Sequence, residues 1–117
     1  MSMTGTDIVN AVRPLVNDED KSTWPDDSAN WLLFLNEGVR RIYHDHPECR
    51  LLTDGTMRVY AAMTAVASTV PLDDVYKTAM AEYLAYRFFD CDAGDNRDAS
   101  RAGEHLQAFE SCFSAKP

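Results

Sequence analysis

The sequence predicts a mainly α-helical protein, a four-helix bundle with a short β-hairpin or extended arm between its second and third helices. Two observations carry this prediction: apolar side chains recur at steps of three and four over four segments, and proline, glycine or an Asp-Gly pair separates those segments. We expect one domain over residues 1–117, because a chain of this length buries roughly 65% of the surface that its unfolded form exposes.

The first predicted helix covers residues 6–17. Thr6 and Asp7 suit its N-cap and first turn. The apolar positions that follow have helical spacing: Ile8, Val9, Val12, Leu15 and Val16. Pro14 removes a backbone hydrogen bond and clashes with the preceding turn, so we expect either a kink there or a looser turn at the start of the segment.

The second predicted helix begins near Asp26, where Trp24-Pro25-Asp26-Asp27-Ser28 supplies helix-start residues, and it ends at Pro47. Its apolar residues gather on one face: Trp31, Leu32, Leu35, Val39, Ile42 and Tyr43. Arg40 and Arg41 fall outside this stripe and form the densest basic pair of the chain.

An insertion over residues 48–72 follows, with a different pattern. Asp54-Gly55 is a strong hairpin signal, and Arg50-Leu51-Leu52 and Met57-Arg58-Val59-Tyr60 flank it. Residues 61–70 mix alanine with β-branched residues before Pro71, and we expect them to be extended.

Pro71 and Asp73-Asp74 predict the start of the third helix, and Gly94 its end. This helix is apolar around much of its circumference, so we expect it to be central. The fourth predicted helix covers residues 96–113 and packs antiparallel to the third, followed by a mobile tail over 114–117.

Charge and cysteine content limit the classes of function. The chain carries 11 basic and 19 acidic side chains, a formal net charge of -8, and such a chain repels nucleic-acid phosphates and anionic membranes. The start of the sequence has no signal-peptide pattern, and its longest low-charge stretch is too short and polar to span a bilayer. Three widely spaced cysteines form no disulfide framework and fit a reducing cytosol.

Two clusters invite a metal site. His44, His46 and Cys49 lie close in sequence, but the two histidines point to different helix faces. The acid-rich stretch over residues 90–98 lacks the ligand spacing of a calcium loop, and a capped turn between helices explains it. No motif of nucleophilic or phosphate chemistry occurs, so we predict no catalytic residue, metal ligand or cofactor.

Aromatic residues of the third helix exceed what one helix contact needs, and such residues anchor protein interfaces. Together with the basic pair and the C-terminus, they provide the predicted interface candidates: Tyr76, Tyr86, Phe89, Arg40, Arg41, Phe113 and Lys116.

Two blocks of helix caps and core residues carry a family resemblance. The first contains Val16-Asn17-Asp18-Glu19-Asp20, Trp24-Pro25-Asp26-Asp27, Trp31-Leu32, Phe34-Leu35-Asn36-Glu37-Gly38, Arg40-Arg41-Ile42 and His46-Pro47-Glu48. The second contains Val70-Pro71-Leu72, Tyr83-Leu84-Ala85-Tyr86-Arg87-Phe88-Phe89, Asp90-Cys91-Asp92-Ala93, Asn96, Arg101-Ala102, His105 and Phe109. In this order the blocks resemble the small head-to-tail connector, or adaptor, proteins of tailed bacteriophages.

This resemblance implies a structural protein of the virion neck, made in the host cytoplasm. It implies a ring, commonly a dodecamer, that binds the portal protein above and tail or neck proteins below. Packaged DNA then passes through the ring without specific binding, and no membrane is involved. Terminal segments of such connectors often dock on the portal, so the same is expected of residues 114–117.

Two other functions remain open from the residues. A small acidic helical regulator, a DNA mimic or an inhibitor of a host protein, is compatible with the net charge of -8. A metal- or thiol-dependent enzyme built on His44, His46 and Cys49 requires bound metal or a reactive thiol.

Overall fold

A computed structural model describes residues 3–16, 24–25, 28–51, 55–91 and 96–114, the last range without the side chains of 96–99 and 114. These residues contain four α-helices: α1 Gly5–Val16, α2 Ala29–Asp45, α3 Lys77–Asp90 and α4 Asn96–Ser114. Short 3-10 helices at Pro47–Arg50 and Asp74–Tyr76 follow α2 and precede α3. The mainly α-helical class predicted from the sequence is confirmed.

Helix α1 begins at Gly5, one residue before its predicted start, and its cap is Thr4 in place of the predicted Thr6. Thr4 Oγ1 accepts a hydrogen bond from the Asp7 amide at 3.2 Å, and Asp7 Oδ2 accepts one from the Thr4 amide at 3.0 Å. This reciprocal pair caps the first turn. The hydrogen bond from the Thr4 backbone lowers the pKa of the Asp7 carboxyl. Pro14 lies in the last turn, two residues before the helix ends.

Helix α2 begins at Ala29, later than predicted, and the predicted start at Asp26 lies outside the described residues. Ser28 is its N-cap, because its hydroxyl accepts a hydrogen bond from the Asn30 amide at 3.2 Å. The helix ends at Asp45, as the prediction of a stop at Pro47 requires, and Pro47 opens the following 3-10 helix.

Helix α3 is central, since α1, α2 and α4 all pack against it. The pairs Tyr76 with Phe113 and Phe89 with His105 place the start of α3 against the end of α4, so these two helices run antiparallel as predicted. The largest fully buried side chains include Ile8, Trp31, Phe34, Leu35, Ile42, Met80 and Leu84. The predicted stop at Gly94 and residues 115–117 of the predicted tail lie outside the described residues.

The predicted β-hairpin between α2 and α3 is wrong. In the described part of this connection, strand-like pairing is limited to two isolated antiparallel bridges, Leu51 with Met57 and Thr69 with Thr4. Gly55 does adopt a positive φ of 89°, as the turn signal requires. A two-stranded hairpin is marginal alone, and here side chains of α2 bind the chain after Met57 in place of a partner strand.

Asn36 of α2 holds this connection with two hydrogen bonds to one residue. Its Oδ1 accepts from the Met63 amide at 2.8 Å, and its Nδ2 donates to the Met63 carbonyl at 3.2 Å. Further along, the Gly5 amide donates to the Ser68 carbonyl at 3.1 Å and the Val70 amide to the Met3 carbonyl at 2.9 Å. The connection is therefore attached to both α2 and the start of α1.

Replacing Asn36 with alanine should lower the free energy of unfolding by about 1–2 kcal/mol, because the amide and carbonyl of Met63 lose their partners. Urea unfolding monitored by circular dichroism measures the loss. Asn30→Ala, on an exposed position of the same helix, is the matched control and should stay within about 0.5 kcal/mol of wild type. Equal losses in both variants would contradict the role given to Asn36.

Candidate functional site

Arginine and tyrosine side chains alternate where the connection crosses the second half of α2. The Arg40 guanidinium lies 5.8 Å from the Tyr60 ring centroid, and the Arg50 guanidinium lies 5.4 Å from that of Tyr43. The two rings meet edge to face at 6.0 Å. With Arg58, described next, these four residues form what we call the arginine–tyrosine surface. Arg40 is exposed, the side chains of Arg50, Arg58 and Tyr60 are half-buried, and Tyr43 is buried beneath them.

Hydrogen bonds connect the surface to the residues that precede α3. Arg50 Nε donates to the Arg58 carbonyl at 2.8 Å, and Arg58 Nη2 donates to Asp73 Oδ1 at 2.9 Å. The Tyr43 hydroxyl donates to the Pro71 carbonyl at 2.5 Å, and burial raises the pKa of this phenol. Arg58 Nη1 is buried and has no hydrogen-bond partner among the described residues. Within that part of the chain, Arg40 and Arg50 form no ion pair.

Large apolar side chains that adjoin Arg50 and Arg58 in sequence are exposed, and we call them the border of the arginine–tyrosine surface. Leu51 is 52% exposed, Met57 45% and Val59 80%. Two other large apolar side chains are also exposed: Leu33 in the first half of α2 at 50%, and Leu15 near the end of α1 at 39%. Exposed apolar side chains next to arginine and tyrosine are typical of the surfaces that bind other proteins.

Of the predicted basic pair, Arg40 alone belongs to this surface. Arg41 faces α4, where its Nη2 lies 3.4 Å from Glu110 Oε2 and its guanidinium lies 5.6 Å from the Phe109 ring. It also pairs with Asp45 at 3.5 Å. Arg41 therefore links α2 to α4.

Tyr76 and Phe113 lie together at the end of the bundle where α2 and α4 end and α3 begins. Phe113 stacks on the His46 ring at 4.1 Å and on the Tyr76 ring at 6.0 Å. A hydrogen bond to Cys49 raises the pKa of Tyr76 to about 12. Both predicted candidates are half-buried, and Phe113 also meets the Phe109 ring edge to face at 5.4 Å.

The other predicted candidates differ in their surroundings. Phe89 is only 5% exposed and stacks on His105, so it belongs to the core and offers almost no surface to a partner. Tyr86 is half-buried against Tyr83, with ring centroids 5.6 Å apart. Lys116 lies outside the described residues.

The structure does not bring His44, His46 and Cys49 together. His44 is exposed and its Nδ1 lies 2.9 Å from Asp45, His46 packs on Phe113, and Cys49 is buried. Among the described residues, no group of three or more histidine, cysteine or acidic side chains is arranged to hold a metal ion. Of the acid-rich stretch, Asp90 pairs with Arg87 at 2.8 Å, whereas Asp92 and Asp95 lie outside the described residues.

Cys49 should react with a thiol reagent far more slowly than Cys91 and Cys112, which are exposed. Burial raises the pKa of the thiol in both Cys49 and Cys112, so the difference in rate comes from the access of the reagent, which burial blocks at Cys49 alone. A chromogenic disulfide at pH 8 measures this as two fast equivalents and one slow equivalent. Unfolding the protein in urea should make all three fast, and a fast Cys49 in the folded protein would restore the thiol-enzyme hypothesis.

Sequence reasoning missed most of the arginine–tyrosine surface. It did not select Arg50, Arg58 or Tyr60 as interface residues. It placed Tyr43 in the apolar stripe of α2, and the burial of Tyr43 at 7% exposure confirms that placement. A usable signal was the alternation in Met57-Arg58-Val59-Tyr60, where Met57 and Val59 are exposed while Arg58 and Tyr60 are half-buried. The alternation does not show which helix Arg58 and Tyr60 pack against, because tertiary packing decides that.

The described residues enclose no detectable pocket. None of their helices combines the length and the hydropathy needed to cross a membrane. Compared with protein-family models, curated proteins and solved structures, the chain shows no significant match to any of them.

Proposed function

We propose that the chain is a structural virion protein, a head-to-tail connector that forms a ring beneath the portal of a tailed phage and extends the DNA channel to the tail. Its partners are then the portal protein, tail or neck proteins, and further copies of itself. The proposal gives the chain no catalytic role. The ordered resemblance of its two sequence blocks suggests this function, and the mainly helical fold is compatible with it.

The observation that best supports the proposal is the exposure of large apolar side chains in two separate parts of the chain, which we treat as two apolar sites. Leu33 lies in the first half of α2, and Leu51, Met57 and Val59 lie in the connection that follows this helix. A ring needs two different faces on each subunit, because its interfaces are heterologous.

Particles from the source of the sequence provide the direct test. A tagged copy should decorate the portal vertex in electron micrographs of particles assembled without the native chain, and it should co-sediment with isolated portal rings. Leu33→Asp and Val59→Asp, each on one apolar site, should weaken incorporation, while Asn30→Asp on an exposed polar position should not. Label absent from the vertex, with no binding to portal rings, would refute the connector function.

Weak binding to DNA is a further expectation of this function. At a net charge of -8 the subunit repels duplex phosphates, which lets DNA slide through a channel without sticking. Fluorescence anisotropy of a labelled duplex at low salt should give a dissociation constant weaker than about 0.1 mM, the weak limit of ordinary non-specific binding. Tight binding at low salt would rule out a non-sticking channel wall.

The acidic regulator remains the second proposal, supported by the same net charge. The stoichiometry of complexes separates the two functions. A regulator binds a single host target as a monomer or dimer and does not sediment with portal rings, whereas a connector joins a multi-copy assembly.

A further inference from the structure

We infer that the arginine–tyrosine surface, with its border of Leu51, Met57 and Val59, binds an acidic surface of a second copy of this chain. The inference deepens the proposed function, on which it rests, by assigning one face of the subunit-to-subunit contact. The other face is any region of the neighbouring copy that carries the excess of acidic side chains.

Two arginines of this surface have no ion-pair partner among the described residues. In a chain with 19 acidic side chains, Arg40 and Arg50 lie over aromatic rings and make no ion pair among the described residues. Arg58 does bind Asp73, yet its Nη1 is left without a hydrogen-bond partner within the same residues. The exposed Arg40 and the half-buried Arg50 are therefore available to carboxylates that come from outside the subunit, whereas the buried Nη1 of Arg58 is not.

The composition of the surface also favours a protein as its partner. Arginine, tyrosine and methionine are the residue types enriched where proteins bind each other, and charged groups beside apolar ones give such contacts both area and orientation. Val59, at 80%, is among the most exposed large apolar side chains of the described residues, and it lies between Arg58 and Tyr60 in sequence. Only contact with another molecule would bury this side chain.

Charge complementarity favours a second copy as the partner. Each copy has a net charge of -8, so it offers a neighbouring copy acidic side chains outside the arginine–tyrosine surface. Exposed acids that form no ion pair among the described residues include Asp74 and Glu104. Two arginine clusters repel each other, so a twofold contact of like surfaces is disfavoured. An arginine surface that binds a different, acidic region is compatible with the heterologous contact that ring closure requires.

Sedimentation velocity of the full chain tests the inference with a matched pair of charge reversals. Arg40→Glu changes the surface, and Lys77→Glu makes the same change in net charge at an exposed helical position outside it. Wild type should self-associate at low salt and dissociate as salt shortens the Debye length to about 3 Å near 1 M. Arg40→Glu should weaken association about tenfold or more, while Lys77→Glu stays close to wild type.

Three results would overturn the inference: a monomeric wild type at low salt, equal weakening by Arg40→Glu and Lys77→Glu, or tight duplex binding by wild type that Arg40→Glu abolishes. Circular dichroism of both variants verifies that they fold, since both positions are exposed. Binding of the same proteins to portal rings is measured in parallel. A chain that binds portal rings but fails the sedimentation test keeps the connector function and loses only this assignment of its interface.

Discussion

Replacing Trp31 with alanine should lower the free energy of unfolding by about 3–5 kcal/mol, the loss expected for a large aromatic side chain removed from a core. Trp31 is 0% exposed. Its ring meets Trp24 at 4.9 Å and Phe88 at 5.8 Å, and the Arg13 guanidinium lies 5.7 Å from its centroid. The indole N–H has no hydrogen-bond partner among the described residues, so the loss comes from packing.

Urea unfolding monitored by circular dichroism measures this loss, with Leu33→Ala as the control on the same helix. Leu33 is 50% exposed, so its truncation removes little buried area and should cost less than about 1 kcal/mol. If Trp31→Ala costs no more than Leu33→Ala, Trp31 is not at the centre of the core.

The second large effect is expected at Gly5, the first residue of α1. A Cβ there would overlap the Val66 carbonyl oxygen and lie 2.7 Å from Leu35 Cδ1. Because one obstacle is backbone, the start of α1 must move away from the connection. Gly5→Ala should therefore lower the free energy of unfolding by about 3 kcal/mol, the upper part of the usual range for overpacking.

Gly103→Ala is the same substitution with the opposite expected sign. Gly103 lies within α4, and a Cβ there would meet nothing within 4 Å. Alanine should stabilise the helix by about 0.5–1 kcal/mol, because it loses less backbone entropy on folding. Thermal or urea unfolding of the two variants measures both changes in the free energy of unfolding. If Gly5→Ala is neutral or stabilising, the close approach of α1 to the connection is wrong.

The helices were predictable because their signals are local. Apolar spacing identified all four, and Pro47 predicted the end of α2 within two residues. The caps were less predictable. Thr4 and Ser28 cap α1 and α2, whereas the sequence favoured Thr6 and the residues around Asp26, because several neighbouring side chains can cap a helix equally well.

The connection between α2 and α3 was mispredicted because its partners are distant in sequence. Gly55 and its neighbours carry the local chemistry of a hairpin turn, and the left-handed φ at Gly55 agrees with it. The pairing stops after Leu51 and Met57, since Asn36 binds Met63 and Arg40 lies over Tyr60. Asn36 and Met63 are 27 residues apart, so a pattern of neighbouring residues cannot predict their contact.

The sequence by itself determined the helical class, the acidic charge and the separation of helices by proline, because spacing, composition and backbone chemistry act over a few residues. Only the tertiary structure decided which side chains are available to a partner. Packing buried Phe89 and paired Arg41 with α4, while it left Arg40 and Arg50 over tyrosine rings beside the exposed Val59. The exposure of a side chain depends on which helices and connections pack together, and this packing brings together residues that are far apart in the chain.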